Sequence, residues 1–162
     1  MTGENEQQEY PPLIREDYKT GVPCYPIERP EIPSGAAYYF NTESGLRYEV
    51  LFAKKRDNYL GNIINFSVLN DEFEDEYSET NRGEVYRVIA TVTEIVRIYH
   101  DFHAYSTSYE FSGEYKEEKD EGEASIRSLL YYRKALRILH DQWGVELCGN
   151  KVVAFRKRKK YE

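Results

Sequence analysis

The clearest pattern in the chain is an apolar stripe at helical spacing over residues 81–102. Its apolar side chains recur mostly three or four residues apart, which is the period of one helical face. Asn81 can cap such a helix, and Glu84 three residues later completes a capping box. The pattern predicts a long amphipathic helix that packs against a core. The side chains expected to face that core are Val85, Val88, Ile89, Val92, Ile95, Val96, Tyr99 and Phe102.

A second amphipathic helix is predicted over residues 125–143. Its apolar positions also fall on one side, and Gly144 is a typical residue at a helix end. The side chains expected to face the core are Ile126, Leu129, Leu130, Leu136, Leu139 and Trp143. We therefore expect two long amphipathic helices in the domain.

Alternation of apolar and polar residues predicts the strands. Residues 46–54 place Leu46, Tyr48, Val50 and Phe52 on one face, after a turn at Gly45. Further strands are predicted at 37–42, 62–69 and 105–113, and a terminal hairpin joins 145–148 to 151–155. The order is then β-β-β-α-β-α-β-β. This order predicts the α+β class, with a single mainly antiparallel sheet that carries both helices.

All six prolines of the chain lie in residues 1–35. Because proline fixes φ and lacks a backbone N–H, this segment is predicted to be an extended arm. Apolar residues between the prolines, such as Leu13, Ile14 and Tyr25, lead us to expect that part of the arm packs against the body or a partner. We divide the chain into a proline-rich arm (1–35), an α+β domain (36–157) and a basic tail (158–162).

Length and charge narrow the class of protein. A chain of 162 residues fits one domain with its own core. A net charge of -7 argues against a general affinity for nucleic acid. No apolar run reaches the roughly 20 residues of a membrane span, and the polar N-terminal residues do not resemble a signal peptide. We expect a cytoplasmic protein in which Cys24 and Cys148 are reduced thiols.

Metal and catalytic motifs are weak in this sequence. Six carboxylates crowd residues 71–79, without the spacing of a calcium-binding loop. His100 and His103 could present two imidazoles to a metal, although cations are favoured at a helix C-terminus in any case. The sequence contains no nucleophile elbow, phosphate-binding loop or dinucleotide fingerprint. We predict no metal, no cofactor and no catalytic residue.

Two further features are candidate contact surfaces. The chain has 16 tyrosines, which either form amphipathic contact surfaces or replace phenylalanine at half-buried strand positions. The second helix is basic, and with Arg82 and Arg87 its cations form either an anion pocket or salt bridges to the abundant carboxylates. These helix cations are Arg127, Arg133, Lys134 and Arg137.

Residues 83–92 (GEVYRVIATV) and 127–133 (RSLLYYR) together resemble a pattern found in small uncharacterised proteins of bacterial and phage genomes. Those proteins carry a G-x-x-x-R-V-x-A-T-V helix, then a strand, then an R-x-x-L-Y-x-R helix. The likeness covers roughly residues 62–140. It implies a bacterial or phage origin and no known activity.

The order of elements is also similar to the core of the acyl-CoA N-acyltransferase superfamily. That resemblance implies a pyrophosphate-binding loop at the start of the first helix and a tyrosine as general acid in the second. The loop has one glycine of the expected pair, and Glu84 lies where a phosphate would need positive potential. The positions implied are Tyr131 and Tyr132 for the acid, and Asn81, Arg82, Gly83, Arg127 and Arg133 for the cofactor.

The leading functional hypothesis is a non-catalytic accessory protein that works by protein contacts through its tyrosine-rich surface and its arm. The partner is unknown, and a homo-oligomer is one alternative. An acyltransferase-like enzyme is the second hypothesis. Nucleic-acid contact through the basic tail is the third.

Overall fold

The computed structural model describes residues 10–19, 21–69, 82–112 and 126–158. Within these ranges the chain forms six strands and two helices, so the α+β class is confirmed. The elements, in chain order, are β1 (Ala37–Asn41), β2 (Arg47–Lys54), β3 (Gly61–Val68), α1 (Arg82–Asp101), β4 (Ser108–Ser112), α2 (Ile126–Ile138), β5 (Trp143–Cys148) and β6 (Lys151–Arg156).

The strands form one sheet in the order β1-β2-β3-β4-β6-β5. The pairs β1–β2, β4–β6 and β6–β5 are antiparallel. Two hydrogen bonds show that β2 and β3 also run in opposite directions. The Leu69 N–H donates to the Arg47 carbonyl at one end of the pair, and the Lys55 N–H donates to the Gly61 carbonyl at the other.

The strands β3 and β4 run in the same direction. The Thr107 N–H donates to the Leu60 carbonyl, and the Asn62 side-chain amide donates to the Ser108 carbonyl, so partner numbers rise together. The sheet is therefore mixed, and the prediction of a mainly antiparallel sheet is corrected. The physical reason is the connection, because a strand–helix–strand crossover through α1 is what allows parallel neighbours.

The described residues fall into two compact units. The first takes its described residues from Met1–Tyr18, Lys54–Ile63 and Ala104–Glu162. The second takes them from Lys19–Ala53 and Ile64–His103. The helix α1 therefore belongs to the second unit, and α2 belongs to the first.

In the second unit, α1 is buried on the predicted face. The stripe from Val85 to Tyr99 is buried, except for Val96, which is half-buried. Phe102 is exposed, contrary to the prediction, because α1 ends at Asp101 and the Phe102 N–H turns back to the Tyr99 carbonyl. Residues away from the predicted stripe are buried as well, namely Ala90, Thr91, Ile98 and His100.

The arm explains part of that additional burial. The Tyr25 N–H donates to Thr91 Oγ1 at 2.9 Å, and the Cys24 thiol donates to the Ala90 carbonyl at 3.4 Å. Tyr25 is buried and stacks on Phe40 at 5.9 Å between ring centroids. These contacts place the arm residues next to α1, within the packed interior of the second unit.

Tyrosines also fill the strand side of the second unit. The alternating face of β2 is buried as predicted, at Leu46, Tyr48, Val50 and Phe52. Tyr48 lies between Phe40 and Phe66, with centroids 5.0 Å from each. The buried tyrosines thus occupy strand positions that phenylalanine could fill, which is the second interpretation given for the high tyrosine content.

In the first unit, α2 lies against β5 and β6. Its buried residues are Ser128, Tyr131, Ala135 and Ile138. Two leucines predicted to face the core, Leu129 and Leu136, are exposed instead. The prediction was wrong because it extended one helical period to residue 143, whereas α2 ends at Ile138 and Trp143 begins β5.

The first part of the arm packs on the end of α2. The Arg15 N–H donates to the Ile138 carbonyl at 2.8 Å, and the His140 N–H donates to the Leu13 carbonyl at 2.9 Å. Leu13 and Ile14 are buried. The described part of the arm therefore packs on the body, which was one of the two expected outcomes.

Several predicted features lie outside the described residues. They are the acidic run at 71–79, the cap residue Asn81 and the tail beyond residue 158. Neither described helix is long and apolar enough to cross a membrane.

Candidate functional site

The first turn of α1 carries one acidic side chain, Glu84. Arg82 and Gly83 begin the helix, and Glu84 follows in its first turn. The Glu84 carboxylate accepts a hydrogen bond from the Ser44 hydroxyl, on the turn between β1 and β2. Because the amides of a helix start attract anions, a carboxylate fixed there competes with a phosphate.

A second carboxylate belongs to Glu43, the residue directly before Ser44 in the sequence. It contacts Arg87 and Tyr25. Arg87 Nη1 lies 3.0 Å from Glu43 Oε2, and its guanidinium lies 4.1 Å from the Tyr25 ring centroid. The Tyr25 hydroxyl donates to Glu43 Oε1 at 2.8 Å. Arg87 therefore forms a salt bridge within the protein. This is the second of the two alternatives that the sequence left open for the basic side chains.

Titration of this group follows from those contacts. Burial, followed by the hydrogen bond to Glu43, raises the pKa of Tyr25. The same hydrogen bond, together with Arg87, lowers the pKa of Glu43. Glu43 is thus held in its charged form, as the ion-pair partner of Arg87.

The two tyrosines implied as general acids face different surroundings. Tyr131 is buried, and its ring stacks on Phe111 at 5.2 Å. Its neighbour Tyr132 is half-buried, and Arg133 is exposed. Arg127 lies in the first turn of α2. The structure puts Arg82 and Gly83 in the second unit and these α2 residues in the first.

The histidine and cysteine side chains are candidate metal ligands. His103 is buried, stacks on Tyr99 at 3.9 Å, and places Nδ1 2.9 Å from the Tyr99 carbonyl. Neither of the described cysteines, Cys24 and Cys148, is joined in a disulfide. Across the described ranges, no group of three His, Cys, Asp or Glu side chains could hold a metal ion.

A surface cluster of the first unit brings together apolar side chains and a cation. Tyr59, Leu60 and Tyr105 are 73%, 42% and 36% exposed. Lys54 Nζ lies 4.6 Å from the Tyr105 ring centroid and 5.7 Å from that of Tyr59. It also donates to the Tyr105 hydroxyl at 3.2 Å. We name Lys54, Tyr59, Leu60 and Tyr105 the Lys54 cluster.

Local hydrogen bonds fix the turn that presents two members of the Lys54 cluster. The Leu60 N–H donates to Asn58 Oδ1 at 3.1 Å, and the Gly61 N–H donates to the Asn58 carbonyl at 2.8 Å. The Leu60 carbonyl accepts from the Thr107 N–H at 2.8 Å. Asparagine side chains favour such turns because they bond to the backbone two residues ahead.

The Lys54 cluster was not predicted from the sequence. Its members come from the end of β2, the turn before β3 and the segment before β4, which no local pattern connects. The available signal was Tyr59-Leu60, two large apolar residues directly after a polar turn.

Comparison of the chain with models of protein families, with curated proteins and with solved structures finds no match.

Proposed function

We propose that this protein is a non-catalytic interaction protein that binds a protein partner through the Lys54 cluster. The observation that carries the proposal is the grouping of two exposed tyrosine rings around one lysine, with the exposed Leu60 directly after Tyr59. Tyrosine is enriched at protein interfaces because its ring supplies apolar area and its hydroxyl supplies a polar contact. The likeness to small bacterial and phage proteins supports a bacterial or phage setting, and we propose a cytoplasmic location.

Lys54 gives the surface a specific chemistry. Its ammonium group has three donors, of which one is directed at the Tyr105 hydroxyl. Two donors remain for a carboxylate or carbonyl on the partner. Since hydrogen bonds already fix the turn below Tyr59, binding would cost little additional backbone entropy.

The hypothesis drawn from the sequence named two contact surfaces, the tyrosine-rich surface and the arm. Leu13, Ile14 and Tyr25 are buried against the body, so these arm residues are not available to a partner in this fold. Within the described part of the arm, the exposed large apolar residues are Tyr10 and Ile32. We therefore assign the contact to the tyrosine-rich surface.

A photo-crosslinking residue placed at position 59 tests the proposal in the full-length chain. The matched control is position 86, because Tyr86 is also an exposed tyrosine, at 53%. The proposal expects a defined adduct with one protein from position 59 and no such adduct from position 86. With that protein purified, Tyr59→Ala combined with Tyr105→Ala should weaken binding at least about tenfold. An equal loss for Tyr86→Ala would contradict the assignment.

The second candidate function is that of an acyl-CoA-dependent N-acyltransferase-like enzyme. It is favoured by the β3–α1–β4 crossover and the parallel neighbours that it joins, since the acyltransferase core resembles this element order. The carboxylates of Glu84 and Glu43 and the burial of Tyr131 count against it. The binding of acetyl-CoA decides between the two candidates.

A further inference from the structure

The outer side of α2 carries an apolar ridge. Leu129, Tyr132 and Leu136 follow one another at spacings of three and four residues. Leu129 and Leu136 are 37% and 52% exposed, and Tyr132 is half-buried. The neighbouring side of the helix, which carries Ser128, Tyr131, Ala135 and Ile138, supplies the buried contacts with the unit.

A basic ridge runs beside the apolar one. Arg133 and Arg137 are one turn apart and both exposed. Within the part of the chain that the structure describes, neither forms an ion pair with a carboxylate, whereas Arg87 and Arg47 both do. The helix Ile126–Ile138 has four cations and no carboxylate, in a chain of net charge -7. This face of α2 therefore differs from the average surface of the protein.

We propose that this face of α2 binds an amphipathic helix of a partner protein whose apolar seam is flanked by carboxylates. Alternating spacings of three and four residues are those of a helix–helix seam, in which flanking charges select the partner. Charge complementarity with Arg133 and Arg137 calls for glutamate or aspartate on the adjacent flank. The surface is distinct from the Lys54 cluster, so the inference does not depend on the proposed function.

Two designed peptides test the inference with the full-length protein. Both are helices with a leucine seam of two heptads, and they differ only in carrying glutamate or lysine at the flanking positions. Fluorescence anisotropy should show that the glutamate peptide binds roughly fivefold more tightly than the lysine peptide at moderate salt. Leu129→Ser with Leu136→Ser should weaken the glutamate peptide at least about tenfold, because the seam loses its apolar area.

Charge reversal gives a gain of binding that misfolding cannot produce. Arg133→Glu with Arg137→Glu should make the lysine peptide the tighter ligand. The control pair Arg56→Glu and Arg158→Glu changes the net charge equally, at exposed positions outside α2, and should leave the preference unchanged. Equal affinity of the parent for both peptides would overturn the proposal. So would an unchanged preference after the α2 reversal, or binding to phosphatidylglycerol vesicles without binding to either peptide.

Discussion

The helices α1 and α2 are both amphipathic in sequence, yet the protein uses them differently. In α1 the predicted stripe is buried, and residues beyond it are covered in part by Cys24 and Tyr25 of the arm. In α2 the buried side is formed by Ser128, Tyr131, Ala135 and Ile138, while two leucines remain exposed. The number of apolar residues in a helix therefore does not tell which of its faces is internal.

The contrast follows from what each helix packs against. On α1, the aromatic ring of Tyr99 stacks on the strand residue Phe52, with ring centroids 3.9 Å apart. On α2, Ser128 and Ala135 are small enough to let the helix approach β5 and β6 closely. Leu129 and Leu136 remain exposed, which is the basis of the proposed α2 surface.

The largest expected effect separates the two helices directly. Val92→Asp places an unpaired carboxylate in the buried stripe of α1 and should cost several kcal/mol, against a total stability of about 5–15 kcal/mol. Leu136→Asp makes the same chemical change on the exposed side of α2 and should stay within about 0.5 kcal/mol. Urea unfolding of both variants measures the difference. Similar losses for the two would show that Leu136 is internal.

A smaller effect tests the cover that the arm gives to α1. Tyr25→Ala removes a buried ring and the hydroxyl bound to Glu43, and should cost about 3 kcal/mol. Tyr10→Ala is the control, because Tyr10 belongs to the same arm but is exposed. Thermal unfolding should therefore shift far more for the first variant. A shift of equal size for Tyr10→Ala would mean that the arm acts through its whole length.

On the buried side of α2, one contact is a hydrogen bond rather than apolar packing of the kind that buries α1. The Ser128 hydroxyl lies 2.9 Å from both the carbonyl and the Oδ1 of Asn150, in the turn between β5 and β6. Ser128→Ala should cost about 1 kcal/mol, since it leaves two partly buried acceptors of Asn150 without this donor. The exposed neighbour Leu129→Ala serves as a control that should change little. A neutral Ser128→Ala would indicate that close packing alone holds α2.

The smallest effect concerns pH and the unit that contains α2. Burial acts to raise the pKa of Glu110, but the hydrogen bond and charge of Lys55 at 2.6 Å, aided by Lys151, outweigh it and lower that pKa. A lowered folded-state pKa gives stability that is present above the unfolded pKa and lost as pH falls through the folded one. Stability should therefore fall by roughly 0.5–1 kcal/mol below about pH 4, and Glu110→Gln should remove that part of the loss. An unchanged pH profile in that variant would contradict the role of Glu110.

The sequence predicted the strands and α1 well because their periods are uninterrupted. The alternating face from Leu46 to Phe52 and the stripe from Val85 to Tyr99 required no knowledge of distant contacts. The end of α2 was missed because Leu139 and Trp143 happen to continue its period beyond the last helical residue. The parallel pair β3–β4 and the Lys54 cluster depend on which segments become neighbours, and local patterns do not carry that information.

The central claim, contact rather than catalysis, is tested most directly by calorimetric titration of the full-length protein with acetyl-CoA at low ionic strength. Low salt favours any electrostatic attraction, so it gives the cofactor its best opportunity. We expect no heat of binding, because the Glu84 carboxylate lies at the start of α1, where a pyrophosphate would need positive potential, and Arg87 is already paired with Glu43. Micromolar binding that is lost in Arg82→Ala or Tyr131→Phe would contradict the account and favour the acyltransferase-like enzyme.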